Sequence, residues 1–332
     1  MAVSAAVDVH AHAMPMPLLR WLRREGLAEV GPDNDVVVLD PRVSGIGPGA
    51  VLPLARSQYD VAARLAEMDS VGVSHHAVSL PPFLFASTAP DAGFVTGIVR
   101  RGNDELAGYA GAAADRLVAL GSVPLGWPDA ADEARRCLDE LGMAGIVIGS
   151  RGAGRELDDR VNDELWHLLA QRRAFVLLHP SGVPDAHRQR DFHLSQIVGY
   201  PMETALAVAR LIFGGVLERY RLVLCLAHGG GGLPAIRGRL DLGWASKAVA
   251  HTTRVPPSRL ADRLYYDTAV FSPILLRRLV EDVGPGHVLL GTDHPFELRD
   301  PTPVESVRVL GLVPEEERAV LWDTAARLLR LP

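Results

Sequence analysis

The chain has 332 residues, of which 48% are hydrophobic and 22% are charged, enough for one large α/β domain or two ordinary ones. Its formal charge is −6 and its arginines are spread along the chain, which excludes the basic stripe of a nucleic-acid-binding protein. No apolar run reaches the roughly 18 residues of a membrane span, and the first twelve residues lack the pattern of a signal peptide.

Two residue types narrow the chemistry further. Lys247 is the only lysine among the 34 basic residues, so a Schiff-base, P-loop or carbamylated bridging lysine would have to be that residue. Cys137 and Cys225 both lie in apolar segments, which favours buried, reduced thiols over a disulfide. The cysteines therefore predict a cytoplasmic protein.

Short apolar runs alternate with longer segments of helical periodicity along most of the chain. The eight runs predicted as strands are residues 6–10, 73–79, 117–124, 145–149, 174–179, 221–228, 264–268 and 287–292. Several are rich in Val, Ile and Leu on both faces, as buried parallel strands are. Eight β/α units in series predict an α/β fold of the (β/α)8 type, a TIM barrel, as a single domain over residues 1–332. A doubly wound open sheet is the main alternative.

One segment, residues 14–54, does not fit this alternation. It contains the polar triplet Asp33-Asn34-Asp35, a run of aliphatic residues at 36–39 and several Gly and Pro. We interpret it as an insertion after the first strand that forms a small β excursion or a lid over the barrel mouth.

Polar residues stand at the ends of four predicted strands, where barrels place catalytic groups. The first strand ends in His10 and His12, which point the same way in an extended chain and can bind one metal together. His179 ends the fifth strand, His228 ends the sixth, and Asp293 follows the eighth. A single histidine at the end of a strand is most often a structural residue whose ring is hydrogen-bonded, and Asp293 alone could cap a turn. Their conjunction in this order favours a metal-dependent active site.

Six stretches carry a resemblance to a known enzyme family. They are VDVHAH (7–12), RLAEMD (64–69), VGYPMET (198–204), GGVLERY (214–220), AHGGG (227–231) and GTDHPF (291–296). Together they resemble the amidohydrolase superfamily, and more narrowly the amidohydrolase-2 group around aminocarboxymuconate-semialdehyde decarboxylase. The likeness extends over most of the chain.

The resemblance implies roles for the strand-end residues. His10, His12, His179 and Asp293 would bind one divalent metal, zinc or sometimes manganese, and no organic cofactor would be needed. Three imidazoles and one carboxylate suit Zn²⁺ and leave a position for water, whose pKa the metal would lower from about 16 to roughly 7. His228 would act as general acid/base and not as a ligand, with Asp293 also contributing to catalysis.

The lysine count bears on the number of metals. Binuclear members of the superfamily bridge two metals with a carbamylated lysine after the fourth strand. Here that strand is followed by Gly149, Ser150 and Arg151, whereas Lys247 lies on the helical segment after the sixth strand. A mononuclear centre is therefore predicted.

The resemblance also suggests three substrate-binding residues. Arg239 matches an arginine that binds a substrate carboxylate across a dimer interface, and Phe296 matches an aromatic that packs on the substrate. Alternatively, Arg239 is a solvent-exposed helix residue and Phe296 is an ordinary core residue. His193 stands where the group has a tryptophan, in the polar loop 181–196. The group's second carboxylate-binding arginine has no aligned counterpart, and Arg42 or Arg56 could replace it only with a shift.

These features predict a metal-dependent, non-oxidative decarboxylase of a carboxylated aromatic or muconate-semialdehyde-like acid. We expect a homodimer that acts on a small carboxylate, with no nucleic-acid or membrane partner. A metal-dependent hydrolase of a lactone or amide, or a hydratase, could use the same activated water and is the alternative. A non-catalytic metal-binding protein is a third interpretation.

Overall fold

Eight short and almost fully buried strands form one parallel sheet in the computed structural model, which describes residues 5–332. The strands are β1 (Val7–His12), β2 (His75–Ser79), β3 (Leu117–Gly121), β4 (Gly145–Ile148), β5 (Phe175–Leu178), β6 (Val223–Leu226), β7 (Tyr265–Asp267) and β8 (Val288–Leu289). Each strand pairs with the next one in chain order. Sequential order without a reversal excludes the doubly wound sheet, and the predicted TIM barrel is confirmed.

Helices surround the barrel and follow its strands. They are α1 (Met16–Arg24), α2 (Pro41–Ser44), α3 (Val61–Ser70), α4 (Ala92–Gly111), α5 (Ala130–Asp139), α6 (Asp163–Arg172), α7 (Tyr200–Phe213), α8 (Val216–Arg219), α9 (Leu233–Ser246), α10 (Pro257–Ala261), α11 (Pro273–Val283), α12 (Pro303–Arg308), α13 (Pro314–Arg318) and α14 (Thr324–Leu329). The Asp60 carboxylate begins α3 by accepting a hydrogen bond from the Ala63 N–H at 3.1 Å. The helical periodicity of residues 202–220 predicts one helix, but Gly215 at a φ of 74° separates α7 from α8.

The barrel closes between β1 and β8 through a few backbone hydrogen bonds, which we call the seam. The N–H of Val9 donates to Leu290 at 2.9 Å, that of Asp293 to His10 at 2.9 Å, and that of His12 to His294 at 2.7 Å. The residues that close the barrel are therefore the strand ends that the sequence assigns to the site.

A β-bulge in β1 controls which side chains face the interior. Asp8 pairs with His76 and His12 pairs with Ser79, so β1 has one residue more than β2 between these two pairs. His76 and Ser79 are three residues apart on β2 and lie on opposite faces. Asp8 therefore faces the outer helices with His76, and His12 faces the barrel interior with Ser79.

The segment 14–54 contains α1 and a three-stranded antiparallel sheet of Ala28–Val30, Val36–Leu39 and Val51–Pro53. The leucines of α1, residues 18, 19 and 22, are buried in the core. That this segment is an insertion serving as a lid stays a prediction.

Two predictions from composition can be compared with the structure. Cys137 and Cys225 are both free and buried, as expected. Among residues 5–332, no helix combines the length and the apolar composition that crossing a membrane requires.

Candidate metal centre

Three histidines and one aspartate converge at the carboxyl ends of the strands. The ring centres of His10 and His12 are 5.1 Å apart, and they lie 5.0 and 5.2 Å from that of His179. The Oδ1 atom of Asp293 is 3.3 Å from Nε2 of His10 and 3.1 Å from Nε2 of His12. The structure thus brings together all four residues predicted to bind the metal.

Nitrogen and oxygen atoms of this cluster lack hydrogen-bond partners. Within residues 5–332, the buried Nε2 atoms of His10, His12 and His179 and Oδ1 of Asp293 have none. Buried polar atoms are normally hydrogen-bonded. Four unpartnered atoms that can each give a lone pair to a metal, gathered at one place, therefore fit a metal ion. One ligand atom each of His10, His179, His228 and Asp293 lie within 4.8 Å of one another, while His12 joins through its contact with Asp293.

Each of the three imidazoles is fixed by a hydrogen bond at Nδ1, which leaves Nε2 directed at the centre. The acceptors are Oδ2 of Asp267 for His10 at 2.6 Å, Oγ of Ser79 for His12 at 3.1 Å, and the Pro180 carbonyl for His179 at 2.8 Å. With Nδ1 as the N–H donor, each ring presents the lone pair of Nε2 to a metal.

Asp267 ends β7, and the sequence analysis did not identify it as a site residue. Its Oδ2 holds His10, while its Oδ1 accepts hydrogen bonds from the N–H groups of Gly229 at 2.7 Å and Ala269 at 3.1 Å. One fully buried carboxylate therefore connects a predicted ligand with the turn that carries His228. A carboxylate at the end of an apolar strand was the signal in the sequence.

His228 lies on a tight turn between β6 and α9. Its φ is 57°, and Gly231 follows at 58°, where a Cβ atom would come within 1.9 Å of the Pro201 carbonyl oxygen. Glycine is therefore required at that position. Nε2 of His228 lies 3.4 Å from Oδ2 of Asp293. Asp293 thus faces the ligands with one oxygen and His228 with the other.

The charges in the cluster favour a bound cation. Burial opposes a charged imidazole, but the carboxylates of Asp293 and Asp267 outweigh it and raise the pKa of His10 to about 10. Burial also opposes ionisation of Asp293, yet the charge of His10 and the close approach of the His10, His12 and His228 rings hold its pKa well below the usual range. Burial and the neighbouring histidines lower the pKa of His179, which keeps that ring neutral and able to act as a ligand.

Comparison with known proteins agrees with this geometry. A family model described as amidohydrolase matches residues 7–331. The chain belongs to the amidohydrolase family. This confirms the family suggested by the sequence motifs.

Three relatives of this amidohydrolase carry named activities. A 2-amino-3-carboxymuconate-6-semialdehyde decarboxylase from Dictyostelium discoideum is 32% identical over 257 residues, which is 75% of this chain and 71% of that protein. A gamma-resorcylate decarboxylase from a Rhizobium species is 30% identical over 263 residues, 70% of this chain and 76% of that one. The solved 5-carboxyvanillate decarboxylase from Sphingomonas paucimobilis is 26% identical and superposes with a TM-score of 0.81, covering 99% of this chain and all of that one. All three relatives are carboxy-lyases, the enzyme class that the sequence predicted.

Aromatic residues line the centre of this amidohydrolase. Phe296 is half-buried, with its ring 5.3 Å from that of His12 and 6.0 Å from that of Phe83. Tyr200, within the VGYPMET stretch, has its ring 6.0 Å from that of His179, and burial raises its pKa to about 12. Phe296 was predicted as a substrate-binding residue, whereas Tyr200 and Phe83 were not identified.

The other two predicted substrate residues make no contact with the cluster in the described chain. Arg239 on α9 and His193 are exposed, and neither contacts a predicted ligand in the part of the chain that the structure describes. Arg42 and Arg56, the two alternatives for a second carboxylate-binding arginine, form exposed ion pairs with Asp40 and Asp60.

Proposed function

We propose that this amidohydrolase is a metal-dependent, non-oxidative decarboxylase of a carboxylated aromatic or muconate-semialdehyde-like acid. The observation that carries the proposal is the convergence of the unpartnered Nε2 atoms of His10, His12 and His179 with Asp293, beside His228. The named activities of the relatives support it, since decarboxylases of muconate and hydroxybenzoate acids share this family.

One divalent metal, zinc or manganese, would be held by His10, His12, His179 and Asp293. This donor set suits zinc, and manganese accepts the same nitrogen and oxygen ligands. When bound, such a metal supplies a positive charge that attracts substrate oxygen atoms and lowers the pKa of water. The reaction transfers no electrons to an acceptor, so it needs no redox cofactor, and we propose that the metal is the sole cofactor.

The protein's own residues would then position the substrate and move one proton. The bond between the substrate carbon and its carboxylate carbon breaks, its electron pair stays on the substrate carbon, and CO₂ leaves. A proton delivered by His228 takes the place of the lost carboxylate. Asp293 holds that imidazole through Oδ2, and Phe296 packs against the organic part of the substrate.

We further propose a homodimer in which Arg239 reaches the partner's active site, with His193 of the loop 181–196 as a further substrate-binding residue. Arg239 is exposed on α9, and the segment from the loop before α7 to the turn after α9 also has exposed apolar side chains, namely Phe192, Ile197, Met202, Leu206, Leu242 and Val249. A guanidinium donates two parallel hydrogen bonds to a planar carboxylate, which suits the proposed substrate class. The free, buried cysteines support a reducing, cytoplasmic location.

The test measures CO₂ release by protein loaded with zinc or manganese. Substrates of the 2-hydroxybenzoate and aminomuconate types are expected to lose CO₂, and His228→Ala protein with its metal retained is expected not to release it. Opening of an amide or lactone without any CO₂ release would instead establish the hydrolase alternative. Metal binding without turnover of any compound tested would favour a non-catalytic binding protein.

A further inference from the structure

Arg64 on α3 is a fully buried arginine, with none of its side chain exposed. Within residues 5–332 its guanidinium forms no ion pair with a carboxylate, although buried charges are normally paired. All its hydrogen-bond partners are neutral. A buried cation is costly, so its retention at this place calls for a specific role.

The guanidinium contacts both strand ends that carry predicted ligands. Its Nη2 donates to the carbonyl oxygen of His12, and its Nη1 lies 3.0 Å from Nδ1 of His76 and 3.5 Å from Nδ1 of His294. On its other side, Nε donates to the Ser57 carbonyl at 3.0 Å and lies 2.9 Å from the Tyr109 hydroxyl. His12 belongs to β1, and His294 directly follows Asp293 after β8.

A second connection runs through His76 to Asp8. Burial and the charge of Arg64 lower the pKa of His76 far below its usual range, so its neutral ring accepts from Arg64 at Nδ1 and directs Nε2–H at Asp8, 3.5 Å away. Asp8 in turn accepts from the Thr292 hydroxyl at 2.6 Å, from the Thr292 N–H at 3.2 Å and from the His10 N–H at 2.9 Å. The segments on both sides of the seam are thus tied to one arginine.

The β-bulge places this network on the outer face of the barrel. His76 and Asp8 face α3, whereas His12 faces the interior with Ser79. Arg64 therefore reaches the site only through backbone atoms and neighbouring side chains and does not face the metal position.

We propose that Arg64 is a positioning residue that holds the β1 and β8 ends in register and thereby sets the affinity of the metal site. The proposal rests on the metal centre of the proposed function. It concerns metal affinity, so it does not depend on which substrate is turned over. Residues that orient metal ligands from outside typically contribute 10–100-fold to affinity, which fixes the expected effect.

The test compares Arg64→Met with the parent and with Arg136→Met. Arg136 is a mostly buried arginine that pairs with Glu133 and Asp104 on the outer helices and has no contact with a predicted ligand in the described chain. Zinc affinity is measured by competition with a chromophoric chelator, and the visible spectrum of cobalt-loaded protein reports ligand geometry. Arg64→Met is expected to bind zinc about 10–100-fold more weakly with an altered cobalt spectrum, whereas Arg136→Met changes stability alone.

Two further measurements keep the test decisive. Arg64→Lys retains the charge, but an ammonium group has three N–H donors on one atom and cannot span the five partners of the guanidinium. Its metal affinity is therefore expected to fall about 10-fold, and this variant can be measured even where Arg64→Met does not fold. Guanidinium ion at millimolar concentration is expected to restore part of the affinity of Arg64→Ala protein, since the truncation leaves room for that ion beside the rings of His76 and His294, which also border a cavity of about 120 Å³.

Unchanged zinc affinity and cobalt spectrum in folded Arg64→Met or Arg64→Lys protein would overturn the proposal. An equal loss of affinity in Arg136→Met would also overturn it, because the effect would then follow from general destabilisation. A parent protein that binds no divalent metal would instead refute the proposed metal centre, so the two failures are distinguishable.

Discussion

Replacing Asp267 with asparagine tests how the centre is built. The carboxylate accepts three buried hydrogen bonds, from the ring of His10 at 2.6 Å and from the N–H groups of Gly229 at 2.7 Å and Ala269 at 3.1 Å. Asparagine has nearly the same shape but only one acceptor oxygen, and its amide nitrogen is a donor. In either orientation, the NH₂ group of the amide therefore faces another donor, either the ring N–H of His10 or the backbone N–H groups of Gly229 and Ala269.

The size of the effect follows from those two orientations. An amide nitrogen facing His10 forces the proton of that ring onto Nε2, where it blocks the ligand position. An amide nitrogen facing Gly229 leaves a buried backbone donor unsatisfied, at a cost of about 1–3 kcal/mol. We expect Asp267→Asn to weaken metal binding about 10–100-fold, equivalent to about 1.4–2.7 kcal/mol.

The assay is zinc competition with a chromophoric chelator at neutral pH, with circular dichroism as the check on folding. Ser79→Ala is the matched comparison, since it removes the neutral 3.1 Å hydrogen bond to His12 and should cost about 1 kcal/mol or less. Folded Asp267→Asn protein with parental affinity, or with higher affinity than Ser79→Ala, would refute the reasoning.

Three further predictions concern other residues. His228→Ala is expected to lower kcat at least about 100-fold with metal content unchanged by atomic absorption, and loss of the metal would show that His228 is a ligand. Co-expressing Arg239→Met and His228→Ala chains, each inactive alone, is expected to restore about a quarter of parental activity, because half of randomly formed dimers hold one complete site. No recovery would contradict a role for Arg239 in the partner's site. Burial opposes ionisation of Glu133, but Arg136 and Asn103 hold its pKa below the ordinary 4.5. Glu133→Gln should therefore lower the free energy of unfolding by about 1–3 kcal/mol at pH 7, and the difference should shrink as pH falls below 4.5 in urea titrations. A difference independent of pH would show that the charge of Glu133 does not stabilise the fold.

The fold could be predicted because each strand is local in sequence and buried on both faces. Apolar runs such as residues 174–179 have the length of a strand and are followed by a helical pattern. The ligand set could be predicted because the carboxyl ends of parallel barrel strands meet at one rim. Polar residues at those ends therefore lie close together. The extra residue in β1 left no signal in the sequence, because a bulge depends on pairing with β2.

The groups that orient the ligands could not be predicted from position alone. Ser79 and Asp267 approach His12 and His10 from other strands, and their roles depend on distances across the barrel. His193 marks a different limit, since a residue aligned with a substrate contact is exposed in the single chain. The role of His193 in substrate binding therefore stays a prediction.

The seam shows why metal binding and the integrity of the barrel depend on the same residues. His10 and His12 accept and donate the backbone hydrogen bonds that join β1 to the segment of Asp293 and His294, and three of the four predicted ligands lie on these two segments. A metal held as proposed by residues on both sides would join the two segments where the short β8 supplies little regular strand pairing. Because a ligand that binds only the native state stabilises that state, the free energy of metal binding would stabilise the junction at which the barrel closes. The buried guanidinium of Arg64 lies behind this same junction, so the protein contributes a fixed cation on the outer face and a metal position on the inner one.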